Sequence, residues 1–460
     1  MSYDSIIEQS KIIQAARRSV TGKVRMTNNK RVVIGLEIHV ELKTRSKMYC
    51  GCSADYFGHE PNTHVCPVCL GLPGALPVAN KKAIEWTILA GMSLGCQAPL
   101  FSKFDRKNYF YPDLPKGYQI SQYDLPFCTK GKLGQIRIKR VHLEEDTAKL
   151  IHSGENTLID FNRSGVPLME VVTEPDMKSP QEAKELVKKL QQILRYLEIS
   201  DCDMEKGSMR LEANVSVKKK QTDKLPDYKV EIKNLNSFRF VEKALDYEIK
   251  RQTQLVKKGK KPLQETRGWD EVKQKTYTQR WKEEAQDYRY FPEPDLPPIR
   301  WTKKQLKGIK SQLLELPEMK AKRFQKDYQL TDYQTKILTV TRKKADYFEE
   351  AAKVGKKHKL LVSELANVII NKRVDIEELP PAELVQILIK KKVRPKISEI
   401  QLKKVIKQAL MKNPRVIADF KDGKTQAVEF LLGQVMRETK GAADPNLTRK
   451  ILLEKLKKKR

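Results

Sequence analysis

At 460 residues, 39% apolar and 32% charged, the chain is too long for one hydrophobic core and apolar enough to build two or three. Its 90 Lys and Arg against 58 Asp and Glu leave a net charge of +32, which asks for a polyanionic partner or a lysine-rich host proteome. No apolar run approaches the roughly 18 residues of a membrane span and residues 1–30 hold no apolar signal core, so neither a membrane-spanning nor a secreted protein is expected.

Residues 1–30 read as a basic N-terminal extension carrying Lys11, Arg17, Arg18, Lys23, Arg25 and Lys30. Asp4 and Glu8 argue against an organelle transit peptide, so the cytoplasm is expected over an organelle matrix. From Arg31 the texture changes. Ile34, Leu36, Ile38, Val40 and Leu42 alternate with Gly35, Glu37, His39 and Glu41, the period-2 pattern of a half-buried strand. Glu37 and His39 therefore share a face, with Glu41 one step further. Joined by carboxylates from neighbouring strands they would make a hard, oxygen-rich site for Mg²⁺. Glu144, Glu145, Asp146, Glu170 and Glu174 are candidate further ligands; by spacing alone, a hydrogen-bonded structural histidine competes with that reading.

Seven cysteines, an odd number, speak against a disulfide framework and for a reducing compartment. Cys50-Gly-Cys52 and Cys66-Pro-Val-Cys69 are two close pairs separated by thirteen residues. Such pairs suit tetrahedral zinc, and four thiolates would leave no open position, so a structural ion is expected; four buried free thiols are the alternative. His59 and His64 lie in the intervening loop as spare ligands or exposed residues. Cys96, Cys128 and Cys202 have no partner spacing and read as small buried residues.

Further along, Asn162-Arg163-Ser164-Gly165 is a turn with a guanidinium at its tip, suited to phosphate or simply structural. Ser179-Pro180 is a helix start, followed by Leu186, Leu190, Ile193 and Leu197 at helical spacing. Met209, Leu211, Ala213, Val215 and Val217 alternate with Arg210, Glu212, Asn214 and Ser216, and Val230 and Ile232 with Lys229, Glu231 and Lys233. Three strands with charged faces suggest an antiparallel sheet whose open side is a working surface. Lys233-Asn234-Leu235-Asn236-Ser237-Phe238-Arg239 adds cations and amide donors. No GxxxxGK[ST] loop and no GxGxxG turn occurs, so a bound nucleotide would need a non-standard cradle.

The proline-rich stretch Tyr290 to Pro298 marks a domain boundary. Beyond it, Leu313, Leu314, Ile337, Ile369, Ile370, Leu384, Ile387 and Leu388 sit among Lys, Glu and Gln as in an amphipathic bundle. A second break at Val393-Arg394-Pro395-Lys396 precedes a small tail whose last helix should follow Pro445. From Trp301 to Arg460, 39 Lys and Arg face 19 acids, either a sequence-tolerant grip on nucleic acid or solvated lysines on helix faces. The fold class is α+β: an antiparallel-sheet domain with packed helices over 31–298, an all-α domain over 299–395 and a small helical tail over 396–460.

Nine segments carry a resemblance: GLEIHVELKTRSKMYCGC (35–52), PNTHVCPVCLGLPGALPVAN (61–80), RKNYFYPDLPKGYQISQYD (106–124), HLEEDTAK (142–149), FNRSGVPLMEVVTEPDM (161–177), MEKGSMRLEANVSV (204–217), EIKNLNSFR (231–239), QETRGWDE (264–271) and DYRYFPEPDLPP (287–298). In this order they resemble the B-subunit family of aspartyl/glutamyl-tRNA amidotransferases, which includes an archaeal E-type relative. The likeness is dense over 31–298 and continues weakly to FLLGQVMRETKGAADPNL (430–447). Residues 1–30 lie outside it, and Lys206 stands where family members usually carry an acid.

The resemblance implies a cradle-shaped kinase/transamidase domain, a helical domain and a YqeY-like tail that binds tRNA. It implies that ATP and Mg²⁺ convert the side-chain carboxylate of Glu-tRNA(Gln) or Asp-tRNA(Asn) into an acyl phosphate, which ammonia then displaces. Implied partners are an amidase subunit that hydrolyses glutamine, a small C subunit that wraps both, misacylated tRNA, and a glutamyl- or aspartyl-tRNA synthetase. No Ser/Lys amidase constellation is visible here, in keeping with glutamine hydrolysis by a partner. Glu37, His39, Glu145 and Glu170 become the expected catalytic residues and Mg²⁺ ligands. Arg163, Arg210, Lys233, Asn234 and Arg239 become the expected phosphate or acceptor-end contacts, and Cys50, Cys52, Cys66 and Cys69 the expected zinc ligands. A noncatalytic zinc-containing tRNA-binding scaffold and a stand-alone amide ligase for small acids are the competing readings.

Overall fold

The computed structural model describes residues 31–281, 288–371, 373–392, 397–421, 423–424, 426–439 and 441–457; the basic extension over 1–30 and the break expected at 393–396 lie outside them. The chain divides between Lys320 and Ala321 into two compact units.

The first unit begins with β1 (Val32–Glu41), α1 (Lys81–Ser93), β2 (Phe101–Ser102), β3 (Asp105–Asn108), β4 (Tyr118–Ser121), β5 (Cys128–Leu133) and β6 (Ile136–Glu145). It continues with β7 (Lys149–Ser153), β8 (Asn156–Asp160), β9 (Pro167–Thr173), α2 (Pro180–Tyr196), β10 (Met209–Val217), β11 (Val230–Lys233) and α3 (Phe238–Lys257). β12 (Glu265–Asp270), β13 (Lys275–Trp281), β14 (Phe291–Pro292), β15 (Ile299–Arg300) and α4 (Lys303–Lys310) complete it.

Eight strands form one sheet in the order β13-β12-β11-β10-β1-β9-β6-β5. β1 lies inside it, antiparallel to β10 on one side and β9 on the other. The expected antiparallel sheet contains one parallel step, β11 beside β12. The reason is α3, which carries the chain across between these two strands, the kind of crossover a parallel pair requires.

The alternation in β1 does what its period predicts. Ile34, Leu36, Ile38 and Val40 are buried in one core with Leu211, Ala213, Val215 and Val171, and with Leu186, Leu190, Val241 and Leu245 of α2 and α3. Each such side chain contributes roughly 1.5–3 kcal/mol by leaving water. α2 starts as expected: the Ser179 hydroxyl accepts from the Glu182 amide and Pro180 takes the first helical position.

The domain boundary expected after Pro298 falls later. The proline-rich segment is stitched to the first unit, with β14 pairing with β3 and β15 with β2. Two-residue edge strands tolerate proline because few ladder hydrogen bonds are lost there. Leu306 and Ile309 of α4 then join the main core.

The second unit is helical: α5 (Pro317–Tyr328), within which the division falls, α6 (Asp332–Leu338), α7 (Arg342–Lys357), α8 (Val362–Ile370) and α9 (Pro381–Lys392). Phe324, Tyr328 and Phe348 pack edge-on at its first core. α10 (Glu399–Lys412), α11 (Pro414–Lys421), α12 (Gln426–Glu438) and α13 (Pro445–Lys457) follow, the last starting at the expected proline. Leu402, Ile406, Leu431, Val435 and Leu452 form their shared core. Among the described residues no helix is long and apolar enough to cross a membrane.

Candidate functional site

Residues paired directly across antiparallel strands project from the same face. The register places His142, Glu170, His39 and Arg210 in one row across β6, β9, β1 and β10. His39 Nε2 lies 3.6 Å from Glu144 Oε1 and 3.6 Å from Glu170 Oε2. His142 Nε2 lies 3.0 Å from Glu170 Oε2 and 3.9 Å from Glu144 Oε2. One ligand atom each from His39, Glu144 and Glu170 falls within 4.8 Å of the others. An imidazole nitrogen and two buried carboxylates at that separation can hold a hard divalent cation and leave positions for water or phosphate oxygens.

The electrostatics fit such a site. Burial pushes the Glu170 carboxyl up, but His142, His39 and then Lys107 outweigh it and hold it ionised well below the usual carboxylate range. Glu37 is driven the other way, by burial first and then by the charges of Glu170 and Glu212, with Lys229 offsetting part. Asn214 Nδ2 donates to Glu37 Oε1 at 2.9 Å. Glu37 thus borders the cluster as a carboxyl short of positive charge, which a divalent ion would supply.

Glu145 does not join this cluster. In β6, Val141 and Leu143 face the core, so His142 and Glu144 face the polar side and Glu145 is turned away from it. Its carboxylate accepts from Lys116 Nζ at 2.8 Å and from the Ile120 amide at 3.0 Å. The carboxylate beside His39 is Glu144, a candidate on spacing but not among the four residues that the resemblance brought forward. The period-2 phase of Val141 and Leu143 carried the signal that separates the two. His142 and Lys107 were not foreseen. Lys107 Nζ sits 5.6 Å from the ring centre of Tyr109 and 5.1 Å from that of Tyr288. Burial disfavours its charge, but Glu144 above all, then Tyr290 and Glu170, keep it protonated.

The expected phosphate contacts fall into two groups. Arg210 pairs with Asp146, and Arg163 Nε lies 3.7 Å from the same carboxylate while donating to the carbonyls of Thr147 and Ala148 at 2.8 Å. Burial pushes Asp146 up, yet Arg210 and Arg163 hold it down to about 2. Neighbouring Glu41, which accepts from the Tyr56 hydroxyl at 3.0 Å, is pushed up to about 8 by burial and then by Asp146. In the second group, Lys233 Nζ contacts Glu212 at 2.9 Å and Glu231 at 3.2 Å. Asn234 is exposed at φ 63°, and Arg239 is exposed in the first turn of α3.

The four loop cysteines come together as their spacing predicts: one sulfur from each lies within 4.8 Å of the others. Cys66 and Cys69 are 3.8 Å apart at Sγ, close to the ~3.8 Å that tetrahedral Zn–S bonds of about 2.3 Å require. The Cys66 amide donates to Cys69 Sγ at 3.1 Å. Lys47, 0% exposed, donates from Nζ to the carbonyls of His64 at 2.7 Å and Phe161 at 3.3 Å, and stands 3.6 Å from Cys69 Sγ. Hydrogen bonding from Cys50, with Cys66 and Lys47 adding to it against burial, pulls the Cys69 thiol down to about 4. His59 and His64 lie outside the cluster, ring against ring at 4.4 Å, while Cys96, Cys128 and Cys202 are buried as expected.

Residues 32–307 match the family model described as GatB/GatE catalytic domain, and residues 383–456 the one described as GatB domain. The B subunit of the aspartyl/glutamyl-tRNA(Asn/Gln) amidotransferase from Thermoanaerobacter sp. (strain X514) is 47% identical over 472 residues, covering 93% of this chain and 99% of the relative. The corresponding protein from Thermomicrobium roseum is 48% identical over 478 residues, covering 92% and 98%. Its counterpart from Thermotoga petrophila is 44% identical over 473 residues, covering 92% and 98%.

Proposed function

The chain belongs to the GatB/GatE family of aspartyl/glutamyl-tRNA amidotransferase B subunits, and from that premise we propose that the polar sheet face activates the side-chain carboxylate of misacylated tRNA with ATP. Glu-tRNA(Gln), Asp-tRNA(Asn) or both are the substrates. The observation that carries this reading is the cluster of half-buried His39 with the buried carboxylates of Glu144 and Glu170, bordered by Glu37 on the strand of His39 and by the Lys107 ammonium.

An ionised carboxylate is a poor electrophile and needs a better leaving group than oxide. One of its oxygens attacks the terminal phosphorus of ATP, the bond to the bridging oxygen breaks with its electron pair leaving on ADP, and a mixed acyl phosphate results. The nitrogen lone pair of ammonia then attacks the acyl carbon, phosphate departs with its bonding pair, and a nitrogen proton is lost to give the amide. Mg²⁺ held by His39, Glu144 and Glu170, with Glu37 alongside, would supply positive charge against the phosphate oxygens. Lys107 offers a fixed cation on the same face. Arg163 and Arg210, anchored by Asp146, keep further N–H groups for an acceptor end, and Lys233, Asn234 and Arg239 offer a second set of donors.

The four cysteines would hold a structural zinc ion that sets the loop between β1 and α1. The helical second unit, with its excess of Lys and Arg, would grip the tRNA body. An amidase subunit supplies ammonia and a small subunit joins the two, while a glutamyl- or aspartyl-tRNA synthetase supplies the misacylated tRNA. We place this action in the cytoplasm.

The test is phosphate release from γ-labelled ATP by the assembled complex, with and without Glu-tRNA(Gln), for wild type and Glu170→Gln. Release that needs misacylated tRNA and collapses in the variant, while tRNA binding persists, supports the reading. Absence of tRNA-stimulated release from the wild type with either acceptor would favour a tRNA-binding scaffold.

A further inference from the structure

Glu41 is a buried carboxyl that carboxylate activation does not use. It follows His39 by two residues on β1, so the two side chains share a face ~7 Å apart along the strand. Its oxygens accept from the Tyr56 hydroxyl at 3.0 and 3.1 Å. Both residues line a pocket of about 430 Å³ whose exposed lining includes Lys43, Arg45, Phe57 and Lys206. These three cations meet two carboxylates, Asp55 and Asp201, the latter 3.8 Å from Lys43. Lys206 Nζ stands 5.4 Å from the ring centre of Phe57, which is 58% exposed. An open aromatic ring beside cations suits single-stranded nucleic acid, whose bases stack and whose phosphates pair. Lys206 is also the residue at which the sequence departs from its family.

We propose that Glu41 holds the free α-ammonium of the amino acid esterified to tRNA, and that the pocket beyond it takes the RNA end, with Phe57 stacking on a base and Lys206 pairing with a phosphate. The inference rests on the carboxylate-activation reading and adds how the substrate is oriented: side-chain carboxylate at the His39 cluster, α-ammonium at Glu41, RNA outside. The lengths agree. In an extended glutamyl group four bonds separate the α-nitrogen from the side-chain carboxyl carbon, on the order of 5 Å at about 1.5 Å per bond. That spans most of the interval between Glu41 and His39; an aspartyl group is one bond shorter. Charge follows the same order. The buried carboxyl lies inside and the cations outside, as an aminoacylated RNA end carries its ammonium next to the ester and its phosphates beyond. Uncharged tRNA has no ammonium to offer, so the contact also selects for aminoacylated ends.

The test is binding without ATP, in the complex assembled with the amidase and small subunits, of Glu-tRNA(Gln) and of N-acetyl-Glu-tRNA(Gln), whose α-nitrogen carries no charge. For wild type, acetylation should raise Kd ~tenfold, the weight of a lost charged hydrogen bond. For Glu41→Gln the two tRNAs should bind within ~twofold of each other. Lys206→Gln should raise Kd for both ~threefold and flatten the slope of log Kd against log salt by ~0.7, as loss of one single-strand phosphate contact does. Phe57→Ala should raise Kd ~tenfold. An acetylation penalty that is absent from wild type, or equal in wild type and Glu41→Gln, overturns the inference, as does an unchanged salt slope in Lys206→Gln. Should Glu41→Gln fail to assemble, the exposed Lys206 decides through the salt slope. Failure of the wild type to release phosphate would defeat the activation reading instead and leave these binding constants readable, so the two failures are distinguishable.

Discussion

The first unit carries two ligand clusters built in opposite ways. Cys50, Cys52, Cys66 and Cys69 come from one loop between β1 and α1, while His39, Glu144 and Glu170 come from three neighbouring strands. The first set is soft and complete, four sulfurs with no position left over, so a bound ion could only hold the loop. The second is hard and incomplete, three protein atoms where a divalent ion wants six or more, so substrate oxygens can enter. On the proposed reading, closure would distinguish a part that stabilises from a part that reacts.

Substitutions in the two clusters should separate along that line. The largest effect should come from the open cluster: Glu144→Gln and Glu170→Gln should each lower tRNA-dependent phosphate release ~10²–10³-fold, the loss typical when a group that positions transition-state charge is removed. Glu145→Gln, whose carboxylate faces Lys116, should stay within ~fivefold, about 1 kcal/mol of lost hydrogen bonding. Equal losses in Glu144 and Glu145 variants would contradict the assignment by strand phase.

A smaller change in rate, but a large one in stability, is expected from the closed cluster. Cys66→Ser with Cys69→Ser should abolish tightly bound zinc by elemental analysis and lower Tm on the order of 5–10 °C, since metal affinity there is folding energy. KM for ATP should be unaffected at temperatures where the variant is folded. Loss of zinc from His39→Ala would show that the two clusters are not independent.

The smallest effect concerns Glu41, whose carboxyl is about 8 in the folded chain against an ordinary 4.5. A raised value means that its contribution is fully present below 4.5 and is lost as pH climbs toward 8, where Glu41 and Asp146 would both be charged. Wild-type Tm should therefore fall relative to Glu41→Gln between pH 5 and 8, by an amount corresponding to about 1–3 kcal/mol. Parallel pH profiles for the two proteins would remove Asp146 as the cause.

What could be read from residue order follows the same division. Cysteine pairs are contiguous, so spacing alone assembled the closed cluster, and the alternation in β1 and the Ser179-Pro180 start of α2 were legible because each is local. Glu145 was preferred to Glu144 because adjacent acids look alike until Val141 and Leu143 fix the phase of β6. Lys107 gave no local sign at all; it is placed by β3, which pairs with β4 and with the distant β14. The same pairing explains why the proline-rich stretch at 290–298, read as marking a domain boundary, lies along an edge of the first unit. The parallel step at β11–β12 was hidden because strand direction follows from the crossover through α3 and not from any side-chain pattern.

The central position of β1 has a consequence for synthesis. It is the first strand made among the described residues, yet its partners β9 and β10 end only at Thr173 and Val217. At translation speeds of about 5–20 residues per second, its apolar face and both ladder edges would wait roughly 10–35 s for both neighbours. A nascent strand of Ile, Leu and Val left open for that long is an aggregation hazard, so ribosome-bound chains truncated before Val217 should be conspicuous chaperone clients.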